Sequence, residues 1–191
     1  MPGTPLEEME LVGRAREGDA AAFGALVRLY QDRVYNVAFR LVGNADDAAD
    51  VAQEAFLAAY EGLSRFRAES ALYTWLYRIV VNKALNQRRS KAARPEFSGG
   101  DDPSPLETAA AFSPTPDQEA EAKERAAMVQ RAICRLPRDL RTVVVLKDIE
   151  GFEYEQMAEV LEIPLGTVKS RLHRGRLELR ETLKRYLEVA P

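Results

Sequence analysis

A proline-rich, acidic segment at residues 93–118 interrupts the chain and limits what it can fold into. The segment holds five of the ten prolines, two adjacent glycines and five carboxylates, with Arg94 as its only basic residue. Such a composition buries too little apolar surface to offset the entropy lost on ordering, and it is typical of a flexible linker. We therefore predict two small domains, at residues 20–92 and 119–188, after an N-terminal segment at residues 1–19.

The apolar residues on both sides of this linker recur mostly at intervals of three and four, and alternating β-branched runs are scarce. This period is that of an amphipathic helix, not of a strand. The sequence therefore predicts an all-α protein with two small helical domains.

Several classes of protein are disfavoured by what the chain lacks. The single cysteine, Cys134, excludes an internal disulfide, and with a single histidine it leaves almost nothing for a zinc site. Carboxylates alone still allow Mg²⁺. No apolar run approaches the roughly 18 residues that span a bilayer, and the acidic N-terminus has no signal-peptide pattern. We expect a cytoplasmic protein with no metal, no cofactor and no direct membrane insertion.

Charge is segregated along the chain, although the net charge is only −3. Residues 41–64 hold five acids and no base, and residues 70–95 hold six bases and no acid. Residues 165–185 hold seven Lys or Arg against two Glu. Local fields of opposite sign indicate at least two kinds of partner.

The C-terminal domain has the spacing of a helix-turn-helix. A short amphipathic helix with Tyr154, Ala158 and Leu161 inward is followed by a three-residue turn at 162–164 and then by a long helix. The second helix of this motif enters the DNA major groove by its N-terminal residues. An ordinary bundle helix with a solvated cationic face is the alternative.

The long helix has two sides on a helical wheel of 100° per residue. Its apolar side comprises Val168, Leu172, Gly175, Leu179, Leu183 and Tyr186. The opposite side comprises Thr167, Ser170, Arg171 and Arg174, flanked by Lys169 and Arg176. These polar side chains are candidates for contacts with base edges and phosphates.

A helix predicted after Asn44, its N-cap, has a small-residue face and an acidic face. The acidic face comprises Asp50, Gln53, Glu54, Leu57 and Glu61. Acids around a leucine on an exposed strip suit the docking of a basic helix. A merely solvated acidic face is the alternative.

The next predicted helix runs to about residue 89, with Ser70 as its cap. The residues Trp75, Arg78, Asn82, Asn86 and Arg89 share one stripe, beside a core side of Leu72, Leu76, Ile79 and Val80. Indole, amides and guanidinium without an acid are expected where single-stranded or melted nucleic acid binds. Whether Trp75 packs in the core or contacts a base stays open at this point.

Three blocks of the chain resemble the bacterial extracytoplasmic-function sigma factors of the sigma-70 superfamily. They are DVAQEAFLAAY, FRAESALYTWLYRIVVN and LPRDLRTVVVLKDIEGFEYEQMAEVLEIPLGTVKSRLHRGR. They occur in the family's order around a linker and cover most of residues 20–186. The resemblance implies a transcription initiation factor, not an enzyme, that binds core RNA polymerase, recognises −35 and −10 promoter elements and helps to melt the −10 region.

The resemblance also implies residue roles and partners. The sets below add Leu57, Trp75, Asn86 and Arg89 from their positions on the helix faces described above. The polymerase-binding set is Asp50, Gln53, Glu54 and Leu57, and the polymerase contacts are expected on the β′ clamp helices and the β flap. The −10 set is Phe66, Arg67, Ser70, Trp75, Arg78, Asn82, Lys83, Asn86 and Arg89. The −35 set is Thr167, Lys169, Ser170, Arg171 and Arg174. An anti-sigma factor that covers the polymerase-binding faces is a further expected partner.

Two positions depart from the family pattern. Glu162 stands where glycine is common, so we expect a left-handed backbone there at a cost of about 1 kcal/mol. Glu153 stands where a serine cap is common, and its loss is expected to cost about as much. Both positions lie outside the −35 set.

Two other classes of function compete with this one. A stand-alone repressor or activator would explain the helix-turn-helix but not the acidic face or the Trp75–Arg89 stripe, and it predicts tight DNA binding by a dimer on an inverted repeat. A nucleic-acid-processing enzyme would need a nucleophile with its base or a metal cluster, and the sequence shows neither.

Overall fold

The computed structural model describes residues 5–66, 71–92 and 116–189, and the regular elements in these ranges are helical. The N-terminal domain comprises α1 (Pro5–Arg16), α2 (Ala20–Val42), α3 (Ala45–Gly62), a 3-10 turn (Leu63–Arg65) and α4 (Leu72–Ala92). The C-terminal domain comprises α5 (Pro116–Arg135), α6 (Arg138–Val144), a π-helical turn (Val145–Ile149), α7 (Tyr154–Leu161) and α8 (Leu165–Val189). The all-α prediction is confirmed.

The long helices of the N-terminal domain begin and end at recognisable capping residues. The Asp19 carboxylate accepts hydrogen bonds from the backbone N–H groups of Ala21 and Ala22, at 2.9 and 3.1 Å, and so caps α2. Helix α2 ends at Gly43, whose φ of 96° is left-handed and suits glycine. The Asn44 side chain accepts a hydrogen bond from the N–H of Asp47 at 2.9 Å, so the predicted cap of α3 is confirmed.

The core of the N-terminal domain follows the predicted apolar stripes. On α2, Phe23 is half-buried and the other predicted positions are buried: Leu26, Tyr30, Val34, Val37 and Leu41. The small-residue face of α3 packs against it through Ala48, Ala55 and Ala59. Small side chains allow the axes of the two helices to approach closely. The opposite face of α3 points away from this contact.

Helix α1 has no counterpart among the elements predicted from the sequence. It packs on α2 through the buried side chains of Val12 and Ala15, and Arg14 forms an ion pair with Asp19 at 2.7 Å. Its short apolar stripe is masked by exposed Leu6 and Met9, which break the amphipathic pattern. The N-terminal domain thus includes residues before position 20.

The crossing of α6 and α8 sets the geometry of the C-terminal domain. Val168 and Leu172 of α8 are buried, as the wheel predicts. A Cβ at Gly175 would lie 2.8 Å from Cγ2 of Val144 and 3.1 Å from the carbonyl oxygen of Leu140. A side chain there would push the helices apart, so glycine fixes how α8 rests on α6.

The buried face of α7 is wider than the predicted one. Tyr154, Ala158 and Leu161 are half-buried and pack against the core, as predicted, and Met157 and Val160, which the prediction omitted, are fully buried. The Tyr154 ring also contacts two ammonium groups, with Nζ of Lys147 at 5.0 Å and Nζ of Lys169 at 5.7 Å from its centroid. These cation–π contacts favour an orientation of Tyr154 in which part of its ring stays exposed.

The two ends of α7 contain the two departures from the family pattern, Glu153 and Glu162. Glu162 has φ 53° and ψ 42°, the left-handed conformation expected of it. At the start of α7, the N–H of Glu153 donates to Oε1 of Gln156 at 2.9 Å. Half of a capping box therefore forms without serine, so the expected loss at 153 is partly offset.

The two domains pack against each other in one continuous apolar cluster. Phe152 of the C-terminal domain is buried between Tyr73 and Tyr77 of α4, with ring centroids 5.4 and 5.0 Å apart. No helix in the described ranges is both long enough and apolar enough to cross a membrane.

Candidate nucleic-acid interface

The acidic face of α3 is exposed along its whole length. All four residues of the polymerase-binding set are exposed, and Leu57 among them is 58% exposed. Tyr60, one turn further on and missed by the sequence prediction, is also exposed, and its ring meets Phe23 edge-on at 5.0 Å. Tyr60 follows Leu57 by three positions, so helical periodicity could have placed it on the same face. An apolar centre with an acidic rim is the composition of a protein-binding surface.

A polar groove lies between α3 and α4. It is lined by Glu54, Ile79, Asn82, Lys83, Asn86 and Gln87. Nζ of Lys83 lies 3.2 Å from the Glu54 carboxylate, so a residue of the −10 set touches one of the polymerase-binding set. The amides of Asn82 and Asn86 are exposed along the groove and offer both donors and acceptors.

Two aromatic members of the −10 set pack on each other. Phe66 is only 6% exposed, and its ring lies 5.1 Å from that of the half-buried Trp75. A Cβ at Gly62 would lie 3.2 Å from Cζ2 of the indole, so glycine makes room for it. In this structure the Phe66 ring is buried, and the Trp75 ring packs on it while staying partly exposed. Burial stabilises the apolar Phe66 ring at the end of the 3-10 turn, and the role of both rings towards a base stays a prediction.

Other members of the −10 set have different surroundings. Arg78 is 39% exposed, and its guanidinium lies 4.0 Å from the carboxylate of Glu162, which belongs to the C-terminal domain. Arg67, Ser70 and the side chain of Arg89 fall outside the described residues. Of the polar −10 set, the structure therefore describes the groove residues and Arg78.

The N-terminal end of α8 presents most of the −35 set to solvent. Lys169, Ser170 and Arg174 are exposed and Thr167 is half-buried. The Ser170 hydroxyl donates to the Thr167 carbonyl at 3.0 Å, which settles its rotamer. Charged and hydroxyl groups on consecutive turns of one helix end suit the major groove.

Two arginines of α8 are held by carboxylates of their own domain. Arg171, of which 26% of the side chain is exposed, pairs with Asp139 at 2.9 Å. Nε of Arg176 donates to Asp148 at 3.0 Å, and this hydrogen bond raises the pKa of Arg176. The ion pair ties Arg171 to α6, so Arg171 is less available than its neighbours, and its contact with DNA stays a prediction.

No cluster of three or more His, Cys, Asp or Glu side chains suitable for a metal occurs within residues 5–66, 71–92 and 116–189. His173 is exposed on α8. Cys134 is half-buried beside Gly43, and the Gln130 amide donates to its sulfur at 3.3 Å.

Known families match both domains. The sigma-70 region 2 family matches residues 26–94, and the sigma-70 region 4 family matches residues 126–179. The chain is 39% identical over 197 residues to the RNA polymerase sigma-H factor of Pseudomonas aeruginosa, an alignment that covers 98% of this chain and 99% of the relative. The chain belongs to the extracytoplasmic-function sigma factors. It is also 39% identical to the sigma-E factor of Escherichia coli over 175 residues, covering 90% and 91% of the two chains.

Solved structures of similar fold span both domains of this sigma factor. CnrH in complex with the cytosolic domain of CnrY superposes with a TM-score of 0.68 at 25% identity, over 93% of this chain and 97% of that one. The sigma factor RpoE of Bartonella quintana, in complex with the anti-sigma factor NepR, gives 0.68 at 26% identity, over 85% and 96%.

Family membership gives the surfaces a context. A sigma factor with regions 2 and 4 acts in promoter recognition at the start of transcription by RNA polymerase. The acidic face of α3 and the polar groove fall in the region 2 match, and the basic end of α8 falls in the region 4 match. The two matches thus divide the candidate surfaces between the two domains.

Proposed function

We propose that this sigma factor binds core RNA polymerase through the acidic face of α3, in a contact with the β′ clamp helices. The observation that carries the proposal is the exposed Leu57 amid Asp50, Gln53 and Glu54. Leu57 and Tyr60 lie one turn apart as an exposed apolar pair inside an acidic rim, a composition typical of protein-binding surfaces. The acids favour a basic partner and speed encounter, while burial of the leucine supplies affinity. A second contact, of the C-terminal domain with the β flap, completes the attachment.

Recognition of the −35 element falls to the exposed end of α8. Lys169, Ser170 and Arg174 are the residues able to reach base edges and phosphates without breaking an ion pair within the domain. Arginine paired with guanine is a frequent base-specific contact in the major groove. Arg171 contributes by holding the helix on α6.

The −10 element is bound and held open at the polar groove. Its exposed amides, Asn82 and Asn86, match the edges of unpaired bases, and Lys83 supplies charge for the backbone. Melted strand captured here favours the open form of the promoter, since captured bases cannot re-pair. Phe66 and Trp75 pack on each other and stabilise the domain that carries this groove.

Catalysis belongs to the polymerase in this proposal, and the sigma factor acts in the cytoplasm without a cofactor. The relatives solved as complexes with CnrY and NepR support an anti-sigma factor as a further partner of this chain. Such a partner would cover the polymerase-binding face and keep the factor inactive.

Transcription reconstituted with bacterial core RNA polymerase tests the proposal. The Asp50→Arg variant replaces an acid of the α3 face, and Asp32→Arg makes the same charge change at an exposed position of α2. Promoter-dependent RNA from the wild type and from Asp32→Arg, with loss of both RNA and core binding in Asp50→Arg, is expected. Equal core binding by both variants would overturn the docking face.

A further inference from the structure

A polar cleft of about 380 Å³ opens between α2, α4 and the start of α7. Its walls include Arg33 of α2, Tyr73 and Tyr77 of α4, Glu150, and Gln156 of α7. A volume of this size is within the range of small-ligand sites in proteins. The lining is separate from the residues proposed above for polymerase and DNA, so the cleft has no role yet.

The charge in the cleft is set by two side chains. Among the described residues of the lining, Arg33 and Glu150 are charged, and they form no ion pair with each other. Glu150 is already engaged, because its Oε2 accepts a hydrogen bond from the Tyr77 hydroxyl at 2.7 Å. Burial raises the pKa of Tyr77, and so does Glu150, so this hydroxyl keeps its proton and stays a donor. The carboxylate is thus held by the protein itself.

A second guanidinium, that of Arg40, acts on the same carboxylate. Arg33 and Arg40 are seven positions apart and therefore lie on one face of α2. Arg40 is half-buried, and burial lowers its pKa while the charge of Glu150 acts in the opposite direction. Its Nε is buried and has no hydrogen-bond partner among the residues that the structure describes. Because Arg40 opposes Glu150, the positive charge of Arg33 is left uncompensated in the cleft.

Hydrogen-bond donors from three helices line the cleft. The Arg33 guanidinium is exposed and forms no ion pair within the described ranges. The Tyr73 hydroxyl accepts from the Gln156 amide, so the hydroxyl proton and the second N–H of the amide are left to donate. A guanidinium alone satisfies a flat carboxylate, whereas donors from other elements suit the additional oxygens of a phosphate.

Aromatic rings form the inner wall of the cleft. Phe152 is buried between Tyr73 and Tyr77, with ring centroids 5.4 and 5.0 Å apart. Tyr73 is half-buried, so part of its ring remains open to a planar group, which can stack on it or meet it edge-on. A Cβ at the neighbouring Gly151 would meet nothing within 4 Å, so the mouth of the cleft is open.

We propose that this cleft binds a small phosphate ester with a planar ring, the class of compound to which nucleotides belong. Arg33 pairs with the phosphate, Tyr73 and Gln156 donate to its other oxygens, and the ring packs on the tyrosine wall. The site goes beyond the proposed polymerase and promoter contacts and does not depend on them. Because its walls come from both domains, a bound ligand contacts both and stabilises the folded chain by mass action.

Phenyl phosphate is the compound with which to test the site, because it combines one phosphate with one ring. Titration into the isotope-labelled full chain, followed by NMR chemical shifts, is expected to give a dissociation constant on the order of 1 mM for a ligand of this size. The largest shifts are expected at Tyr73, Gly151 and Gln156. Inorganic phosphate and benzoate each carry half of the chemistry and should bind at least about threefold more weakly.

Three variants give the site a signature in both directions. Arg33→Gln is expected to weaken binding of phenyl phosphate at least about tenfold, because it removes the charged donor. Arg28→Gln makes the same change at another exposed arginine of α2 and should have no effect. Glu150→Gln keeps an oxygen for the Tyr77 hydroxyl but removes the negative charge, so it should strengthen binding roughly threefold. Circular dichroism checks that each variant is folded.

The outcomes decide the proposal without polymerase or promoter. Shifts confined to the cleft, lost in Arg33→Gln and strengthened in Glu150→Gln, uphold the site. Absence of saturable binding, or equal affinities in Arg33→Gln and Arg28→Gln, would overturn it. Shifts centred on the basic end of α8 would mean that phosphate is attracted by general charge, and they count against it too. Benzoate that binds as tightly as phenyl phosphate would overturn the choice of phosphate. None of these results bears on transcription, which tests the proposed function separately.

Discussion

The exposed faces of α3 and α8 carry opposite charge, and they differ in how far their charged groups are paired within the chain. On α3 the acids surround an exposed apolar residue, Leu57, and are exposed themselves. On α8, by contrast, Arg171 and Arg176 are paired with Asp139 and Asp148 of the same domain. A face that binds protein needs an apolar centre, whereas a DNA-reading helix with partly neutralised arginines attracts phosphate only weakly by itself.

This difference accounts for how a chain of net charge −3 can carry the helix that we propose reads DNA. Non-specific attraction to DNA grows with the number of phosphates neutralised, so pairing the arginines internally keeps it small. Attachment to polymerase then supplies the second point of binding and raises the effective concentration of α8 at the promoter.

Loss of the apolar centre of α3 should have the largest effect. Leu57→Asp is expected to weaken binding to core polymerase at least about 30-fold, because a central buried anchor contributes 2 kcal/mol or more. Leu6→Asp, the same change at an exposed leucine of α1, should leave binding unchanged. Fluorescence titration of core enzyme measures both. Equal losses in the two variants would mean that α3 offers no special site.

The platform under α8 should respond next. Gly175→Ala is expected to lower the free energy of unfolding by about 1–3 kcal/mol, because its Cβ overlaps Val144 and the Leu140 carbonyl. Gly166→Ala on the same helix meets nothing within 4 Å and should raise it by about 0.5–1 kcal/mol. Urea denaturation followed by circular dichroism decides the sign at each position. A neutral Gly175→Ala would show that α6 and α8 have room to separate.

The turn before α8 should give a smaller gain. Glu162→Gly removes the left-handed strain and is expected to raise the unfolding free energy by about 1 kcal/mol. Glu162→Ala loses the same carboxylate but keeps the strain, so it should be less stable than Glu162→Gly by that amount. Thermal and urea denaturation of the pair measure the difference. Identical stabilities would contradict a strained backbone at this position.

Freeing an arginine of α8 should have the smallest effect and the most direct bearing on charge pairing. Asp148→Asn releases Arg176, so non-specific DNA binding should strengthen, with a salt dependence steeper by up to about 0.9 in log–log slope. Asp32→Asn makes the same charge change at an exposed site on α2. Fluorescence anisotropy with a duplex lacking promoter elements, at several salt concentrations, compares them. Equal slopes for the two variants would show that the Asp148–Arg176 pair does not limit non-specific DNA binding.

The helices with continuous apolar stripes could be predicted from the sequence, and their surfaces with them. The stripe of α2, the small face of α3 and the Val168–Leu172 side of α8 each match the wheel, because one long stripe meets one core. The exposed acidic face of α3 follows from the same geometry. Caps such as Asn44 were legible because the capping residue and its partner are three positions apart.

What could not be predicted depends on neighbours far along the chain. The sequence indicates that Tyr154 packs on the core side of α7, but not that Lys147 and Lys169 also contact its ring. The ion pair of Arg171 with Asp139, 32 positions away, could not be read from the helical wheel. Helical period reports which side of a helix is buried, but not which partner a surface side chain meets. The docking of Phe152 between two tyrosines of α4 lies beyond it for the same reason.

We expect this sigma factor to read a promoter only when it is bound to core RNA polymerase. Binding of a promoter duplex by the purified protein alone should be compared with binding by the protein together with core enzyme, at one salt concentration. We expect no stable complex with the protein alone and a promoter-specific complex once core enzyme is added. Tight, specific binding by the protein alone, unchanged by core polymerase, would contradict it and indicate a stand-alone regulator.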